Sequence, residues 1–214
     1  MIHNHSRAHW FGASDTATIM GNYDTQTFAA WWCVKLGLYE RHFSTPAMRA
    51  GTAYEHRILD AVGVKKRDRQ IRFPLLRLRV NLDGETRHFV YEVKTYKKDE
   101  PFKVPKNYWQ QCQVEMTATG KMCTIVAYRL TDTEYENYFV PIDKERISIH
   151  WIGADPEWVL DEYLPRLLYL GKMLRKKRMP TNEGLEEYKR GNEVRRIRYL
   201  FRVLHHVARS MDAI

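Results

Sequence analysis

The stretch Val80–Lys94 constrains this chain more than any other. It reads Val-Asn-Leu-Asp-Gly-Glu-Thr-Arg-His-Phe-Val-Tyr-Glu-Val-Lys. Two short apolar runs flank the polar Asp83-Gly84-Glu85-Thr86, which is the pattern of a β-hairpin. Asp83 is expected where the first strand gives way to the turn. Glu92 and Lys94 stand two apart on the second strand, so their side chains leave one face, while Val93 points into whatever packs behind. Hairpin closure then brings Asp83 and Glu92 together beside an ammonium group. Two carboxylates and a lysine form a hard-oxygen site for a divalent cation, the equipment of metal-assisted phosphodiester cleavage.

Composition fits that reading. A chain of 214 residues suggests one domain with an appendage, and 44% hydrophobic residues suffice for a core. The net charge of +9 and the pI near 9.4 favour a polyanionic partner. Nucleic acid is the commonest such partner, although charge alone does not separate DNA from RNA or from an anionic membrane surface. Cys33, Cys112 and Cys123 match no zinc, iron–sulfur or disulfide spacing. They read as buried apolar thiols in a reducing cytosol. Met1–Trp10 is polar and histidine-rich rather than a signal peptide, and no apolar run approaches the roughly 18 residues of a membrane span. A soluble, cytoplasmic protein with no membrane partner is expected.

Along the chain, Phe11–Met20 reads as a loop leading into a short helix. Ser14 or Asp15 can cap that helix, and its free N–H groups suit a phosphate. Arg7 stands just upstream. Thr25–Tyr39 predicts a helix burying Phe28, Trp31, Trp32, Leu36 and Leu38. Pro46 opens a second helix over 47–62, in which Gly51 precedes Glu55 by one turn. Asp68–Leu82 is strand-like and basic, and Lys97–Lys106 reads as a basic mobile loop. Asn107–Gly120 predicts an amphipathic helix that places Gln111 and Gln113 about 200° apart, so at most one faces the chemistry. Met122–Arg129 and Tyr135–Pro141 read as a strand pair joined by a turn at 131–134. From 151 onward the apolar spacing is helical, over 156–177 and 183–209, with a bend at 179–182. The expected organisation is a core over residues 1–150 and a C-terminal helical extension over 151–214.

Five pieces in order resemble the PD-(D/E)XK nucleases, and among them the YqaJ-type viral recombinase branch that includes phage lambda exonuclease. They are Gly12-Ala13-Ser14-Asp15, Gly51-Thr52-Ala53-Tyr54-Glu55, Leu82-Asp83-Gly84, Glu92-Val93-Lys94-Thr95 and Tyr108-Trp109-Gln110-Gln111-Cys112-Gln113 with Met116. Leu82 departs from the family's proline. The resemblance spans roughly residues 7–130. It implies an α/β (α+β) restriction-endonuclease-like core, with a central mixed β-sheet flanked by helices.

The resemblance also implies roles. Asp83, Glu92 and the Val93 backbone carbonyl would bind Mg²⁺, with Mn²⁺ as a substitute, and Glu55 would complete the acidic cluster. Lys94 would orient and help deprotonate the attacking water, and Gln111 would hold the lysine or a phosphate. Arg7 and Ser14 would receive a 5′-phosphate. The implied activity is 5′→3′ exonucleolysis of double-stranded DNA ends, leaving 3′ overhangs for a single-strand annealing protein of a phage or prophage system. A ring-shaped homo-oligomer accompanies that activity in the family. The same residues also fit a RecB-like or structure-selective endonuclease, or a DNA-binding protein that no longer cuts.

Overall fold

The computed structural model describes residues 8–40, 44–97 and 99–191. In chain order the elements are β1 (Phe11–Gly12), α1 (Thr16–Ile19), α2 (Gln26–Leu36), α3 (Pro46–Ala61), β2 (Lys66–Phe73), β3 (Leu78–Glu85) and β4 (Phe89–Tyr96). They continue with α4 (Lys106–Thr119), β5 (Met122–Arg129), α5 (Asp132–Glu136), β6 (Ile147–Ile152), α6 (Pro156–Trp158), α7 (Leu164–Lys176) and α8 (Asn182–Arg190). The fold is mixed α+β, with a central mixed sheet and flanking helices. The described residues fall into two compact units, one of 44–71 with 80–154 and one of 8–40 with 72–79 and 155–191.

In the first unit the sheet order is β3-β4-β5-β6, with β2 paired to β3. β4 and β5 run parallel in the register Glu92↔Ile125 and Lys94↔Ala127, and β5 meets β6 antiparallel. Parallel neighbours need a crossover, which α4 supplies. Val93 and Val126 face a core with Ala50, Tyr54, Ile58 and Leu59 of α3. The strand period of two therefore points Glu92 and Lys94 to the opposite face.

Asp83 lies inside β3 rather than at the turn, because β3 continues through Gly84 and Glu85. The antiparallel pairs there are Gly84↔Tyr91 and Glu85↔Val90. Gly84 marks a close approach instead of a bend. A Cβ at this position would stand 2.8 Å from Leu59 Cδ2 and 2.9 Å from Val64 Cγ1. Gly84→Ala is accordingly expected to destabilise the protein by about 1–3 kcal/mol through overpacking, read from urea unfolding. An unchanged midpoint would contradict this packing.

Residues 135–141 form no strand. Thr131 and Glu134 instead make a capping box that starts α5, where the Thr131 N–H donates to Glu134 Oε2 at 2.8 Å. Further on, the carbonyls of Asn137, Tyr138 and Val140 accept from Tyr54 and Arg57 of α3. The antiparallel partner of β5 is β6, whose alternating Ile147-Ser-Ile-His-Trp-Ile suits a strand. The connection before α4 is also more fixed than the loop expected from its charge. The Phe102 ring lies 5.2 Å from that of Tyr96 and 5.1 Å from that of His150.

In the second unit β1 pairs in parallel with the first residues of β3. Phe28 and Trp32 of α2 are buried, as core rather than as a base-stacking platform. Leu38 lies beyond the left-handed Gly37 that ends α2 and is exposed, contrary to its expected burial. The Trp32 indole N–H donates to the Arg178 carbonyl at 3.2 Å. Within the bend at 179–182, the Thr181 hydroxyl caps α8 by accepting from the Gly184 N–H at 3.0 Å. The helix expected over 183–209 is described only to Arg190, and its remainder lies outside the described residues. Cys112 and Cys123 are buried, while Cys33 is only half-buried.

Candidate active site

The site is built from β3, β4, α3 and α4 of the first unit. Glu92 is 3% exposed. Its Oε1 accepts from Lys94 Nζ at 2.5 Å and from Gln111 Nε2 at 2.7 Å. Among the described residues its Oε2 is buried and has no hydrogen-bond partner. A buried carboxylate oxygen without a donor is unfavourable by several kcal/mol unless something fills the gap. Asp83 is half-buried, and its Oδ2 accepts from the Val93 backbone N–H at 2.9 Å.

The carboxylates repel one another. Burial, followed by the charges of Glu92 and Glu55, pushes the Asp83 carboxyl well above the usual range, against the pull of Lys94. Burial and the charge of Glu92 likewise raise Glu55. Burial works against the Lys94 ammonium, yet Glu92 and then Asp83 outweigh it, so Lys94 is held more firmly protonated than a free lysine. Its Nζ also lies 4.5 Å from the centre of the Tyr108 ring and 3.3 Å from Gln111 Oε1. Two or three hard anionic oxygens around an orphaned buried oxygen fit a divalent cation.

A pH signature follows from these groups. Asp83, Glu55 and Glu115 all have raised carboxyls. Between their ordinary and raised values the native state binds more protons than the unfolded chain, so metal-free stability falls as pH rises through that window. A cation that binds the ionised carboxylates has the opposite dependence. The gain in melting temperature from Mg²⁺ is therefore expected to grow from about pH 5 to about pH 8, read by calorimetry with and without EDTA. Equal gains at both ends would contradict the proposed repulsion. Carboxyls held low by partners, such as Glu134 at about 2 beside Arg146, stay ionised throughout and do not mask the trend.

Of the expected site residues, Asp83, Glu92, Lys94 and Gln111 are joined by hydrogen bonds or charge, and Glu55 joins them through its charge. Gln113 points away and donates to the Gly153 carbonyl at 2.7 Å. A Cβ on Gly51 would stand 3.4 Å from Thr95 Oγ1, so this glycine faces β4. Among the described residues, the groups whose ligand atoms all lie within 4.8 Å of one another are Glu55–His56–Asp68 and Cys112–Glu115–Cys123. The set Asp83–Glu92–Glu55 is not drawn together so tightly. Sequence reasoning missed His56, Asp68 and Glu115. Glu115 follows Gln111 by four residues on α4, a helical neighbour relation that would have found it.

In the second unit, Asp15 rather than Ser14 shapes the Gly12–Asp15 turn. Asp15 Oδ2 accepts from the Gly12 N–H at 2.7 Å and from buried Lys35 Nζ at 2.6 Å, and Oδ1 accepts from Trp31 Nε1 at 2.9 Å. Burial opposes the charge of Asp15, but Lys35 and these donors hold its carboxyl low. Ser14 is exposed and caps nothing. Arg7 lies outside the described residues.

This architecture has a solved counterpart. The crystal structure of an alkaline exonuclease (LHK-Exo) from Laribacter hongkongensis matches with a TM-score of 0.59 at 18% identity, over 85% of this chain and 92% of that chain. The chain shares that exonuclease's fold. The crystal structure of SSO0001 matches with a TM-score of 0.44 at 11% identity, over 85% of this chain and 82% of that one. No family profile and no curated protein matches the sequence. Among the described residues no helix is long and apolar enough to cross a membrane.

Proposed function

We propose that this protein is a Mg²⁺-dependent DNA exonuclease that degrades one strand of linear duplex DNA 5′→3′ and leaves 3′ overhangs. The observation that carries the reading is the Glu92 carboxylate, with one oxygen bonded to Lys94 and Gln111 and the other buried without a hydrogen-bond partner among the described residues. The shared fold with an alkaline exonuclease and the net charge of +9 support it. In this reading Asp83, Glu92 Oε2 and the Val93 carbonyl hold Mg²⁺ or Mn²⁺, with Glu55 acting directly or through water. The bound cation supplies Lewis acidity toward the phosphate and lowers the pKa of water.

The chain's own residues do the rest. Lys94, within 2.5 Å of Glu92 and 3.3 Å of Gln111, is assigned to orient the attacking water, help deprotonate it and offset charge building on the phosphate. Gln111 steers it through its carbonyl oxygen, and the Tyr108 ring supports it from below. Arg7 and the exposed Ser14 hydroxyl are assigned to the 5′-phosphate. A 3′ overhang calls for a single-strand annealing partner, and the family resemblance for a ring of subunits in a recombination system.

Digestion of end-labelled linear duplex, with and without a 5′-phosphate, tests the proposal beside closed circular DNA in Mg²⁺ and in EDTA. Release of labelled 5′-mononucleotide from the linear form alone, in Mg²⁺ or Mn²⁺ only, is expected. Equal cutting of closed circles would make the protein an endonuclease on this fold. Binding without cutting would remove the catalytic reading altogether.

A further inference from the structure

One fully buried acidic side chain has no part in the scheme above. Glu115 on α4 is 0% exposed. Its Oε1 accepts from Gln111 Nε2 at 2.9 Å, and its Oε2 accepts from the Cys123 thiol at 3.7 Å. The same Gln111 nitrogen donates to Glu92 Oε1 at 2.7 Å, while Gln111 Oε1 accepts from Lys94 Nζ at 3.3 Å. A carboxamide has two N–H donors, and here one goes to each carboxyl. A leucine or methionine would fill this core position without the penalty of burying a carboxyl group. The carboxyl's presence therefore calls for a reason beyond packing.

We propose that Glu115 is a positioning residue that fixes the Gln111 carboxamide, with its oxygen toward Lys94 and its nitrogen toward Glu92. The proposal rests on the nuclease reading for its effect on rate. Glu92 and Lys94 are the partners whose bonds change when a cation and a phosphate enter. Glu115, anchored from β5 by Cys123, keeps its bond and holds the amide plane while the others exchange. Burial, followed by the charge of Glu92, pushes the Glu115 carboxyl well above the usual range. A carboxyl group with that preference is well imitated by a carboxamide, which offers the same carbonyl acceptor.

The test uses the full chain carrying Glu115→Gln or Glu115→Leu, with two readouts. The first is single-turnover cleavage of 5′-phosphorylated linear duplex beside DNA affinity in EDTA. Glu115→Leu is expected to lose about 10–100-fold in rate with unchanged DNA affinity, the scale seen when an outer partner of a metal site is removed. Glu115→Gln is expected to retain the wild-type rate. The second readout is hydrogen exchange of the Gln111 side-chain amide by ¹⁵N NMR, assigned by its loss in Gln111→Leu. Both protons should be protected in the metal-free wild type, the one bonded to Glu115 should stay protected in Mg²⁺, and one should become labile in Glu115→Leu.

A Glu115→Leu protein with full rate and a protected amide would overturn the proposal, as would a rate loss in Glu115→Gln equal to that in Glu115→Leu. If the leucine variant fails to fold, rapid exchange of both Gln111 protons in the wild type would overturn it alone. If the wild type cuts no DNA, the nuclease reading fails, and the amide measurement still decides whether Glu115 fixes Gln111.

Discussion

Asp83→Asn is expected to lower cleavage of linear duplex by about 10³-fold or more, since losing a ligand that places a cation removes several kcal/mol of transition-state stabilisation. The same substitution is expected to raise the melting temperature in EDTA at neutral pH. Ionised Asp83 is penalised by burial and by the charges of Glu92 and Glu55. Asparagine removes that charge and keeps an oxygen for the Val93 N–H, which now donates to Asp83 at 2.9 Å. Each kcal/mol of repulsion relieved corresponds to about 2–4 °C in a chain of this size. Opposite signs for activity and stability mark a site built to hold a cation. Retained cleavage would contradict the site assignment, and a fall in melting temperature would contradict the repulsion.

Lys94→Met is expected to reduce the cleavage rate by about 10²–10³-fold, the usual effect of removing one preorganised charge or donor from a reacting phosphate. Its effect on stability is opposite to that of Asp83→Asn. Without the ammonium, Glu92 keeps only Gln111 as a donor among the described residues and becomes a poorly compensated buried anion. A fully buried broken pair is worth about 3–5 kcal/mol, and the partial exposure of Lys94 brings the expected loss to about 2 kcal/mol. Mg²⁺ should then stabilise Lys94→Met more than the wild type, because it replaces the lost positive charge. Urea unfolding in EDTA and in Mg²⁺ reads both effects. Equal stabilisation of the two proteins would place the cation away from Glu92.

What could be read from the chain was what local rules decide. A period of two separates Val93 from Glu92 and Lys94, and the helical angle separates Gln111 from Gln113. The side chains lie accordingly. What escaped depends on partners distant in sequence. Gly84 reads as a turn residue, but it stays in β3 because Leu59 and Val64 crowd the space where a side chain would stand. Asp15 is committed to Lys35 and Trp31, twenty and sixteen residues away, which leaves Ser14 exposed.

The aromatic run at 135–141 reads as a strand, yet the Thr131–Glu134 capping box and the side chains of Tyr54 and Arg57 take it elsewhere. Glu115 is open to the i,i+4 rule as a helical neighbour of Gln111, but its full burial comes from the packing of α4 on β5. The two-unit grouping of 8–40 with 155–191 is likewise set by tertiary pairing, which no composition shift announces.

The claim on which the rest depends is that a divalent cation fills the gap beside Glu92 Oε2. Anomalous diffraction from crystals soaked in Mn²⁺ tests it most directly. The expected result is a peak within coordination distance of Glu92 Oε2 and Asp83, about 2.0–2.3 Å from each oxygen, that is lost in Asp83→Asn. A peak confined to Glu55, His56 and Asp68, or no peak in this unit, would contradict the account.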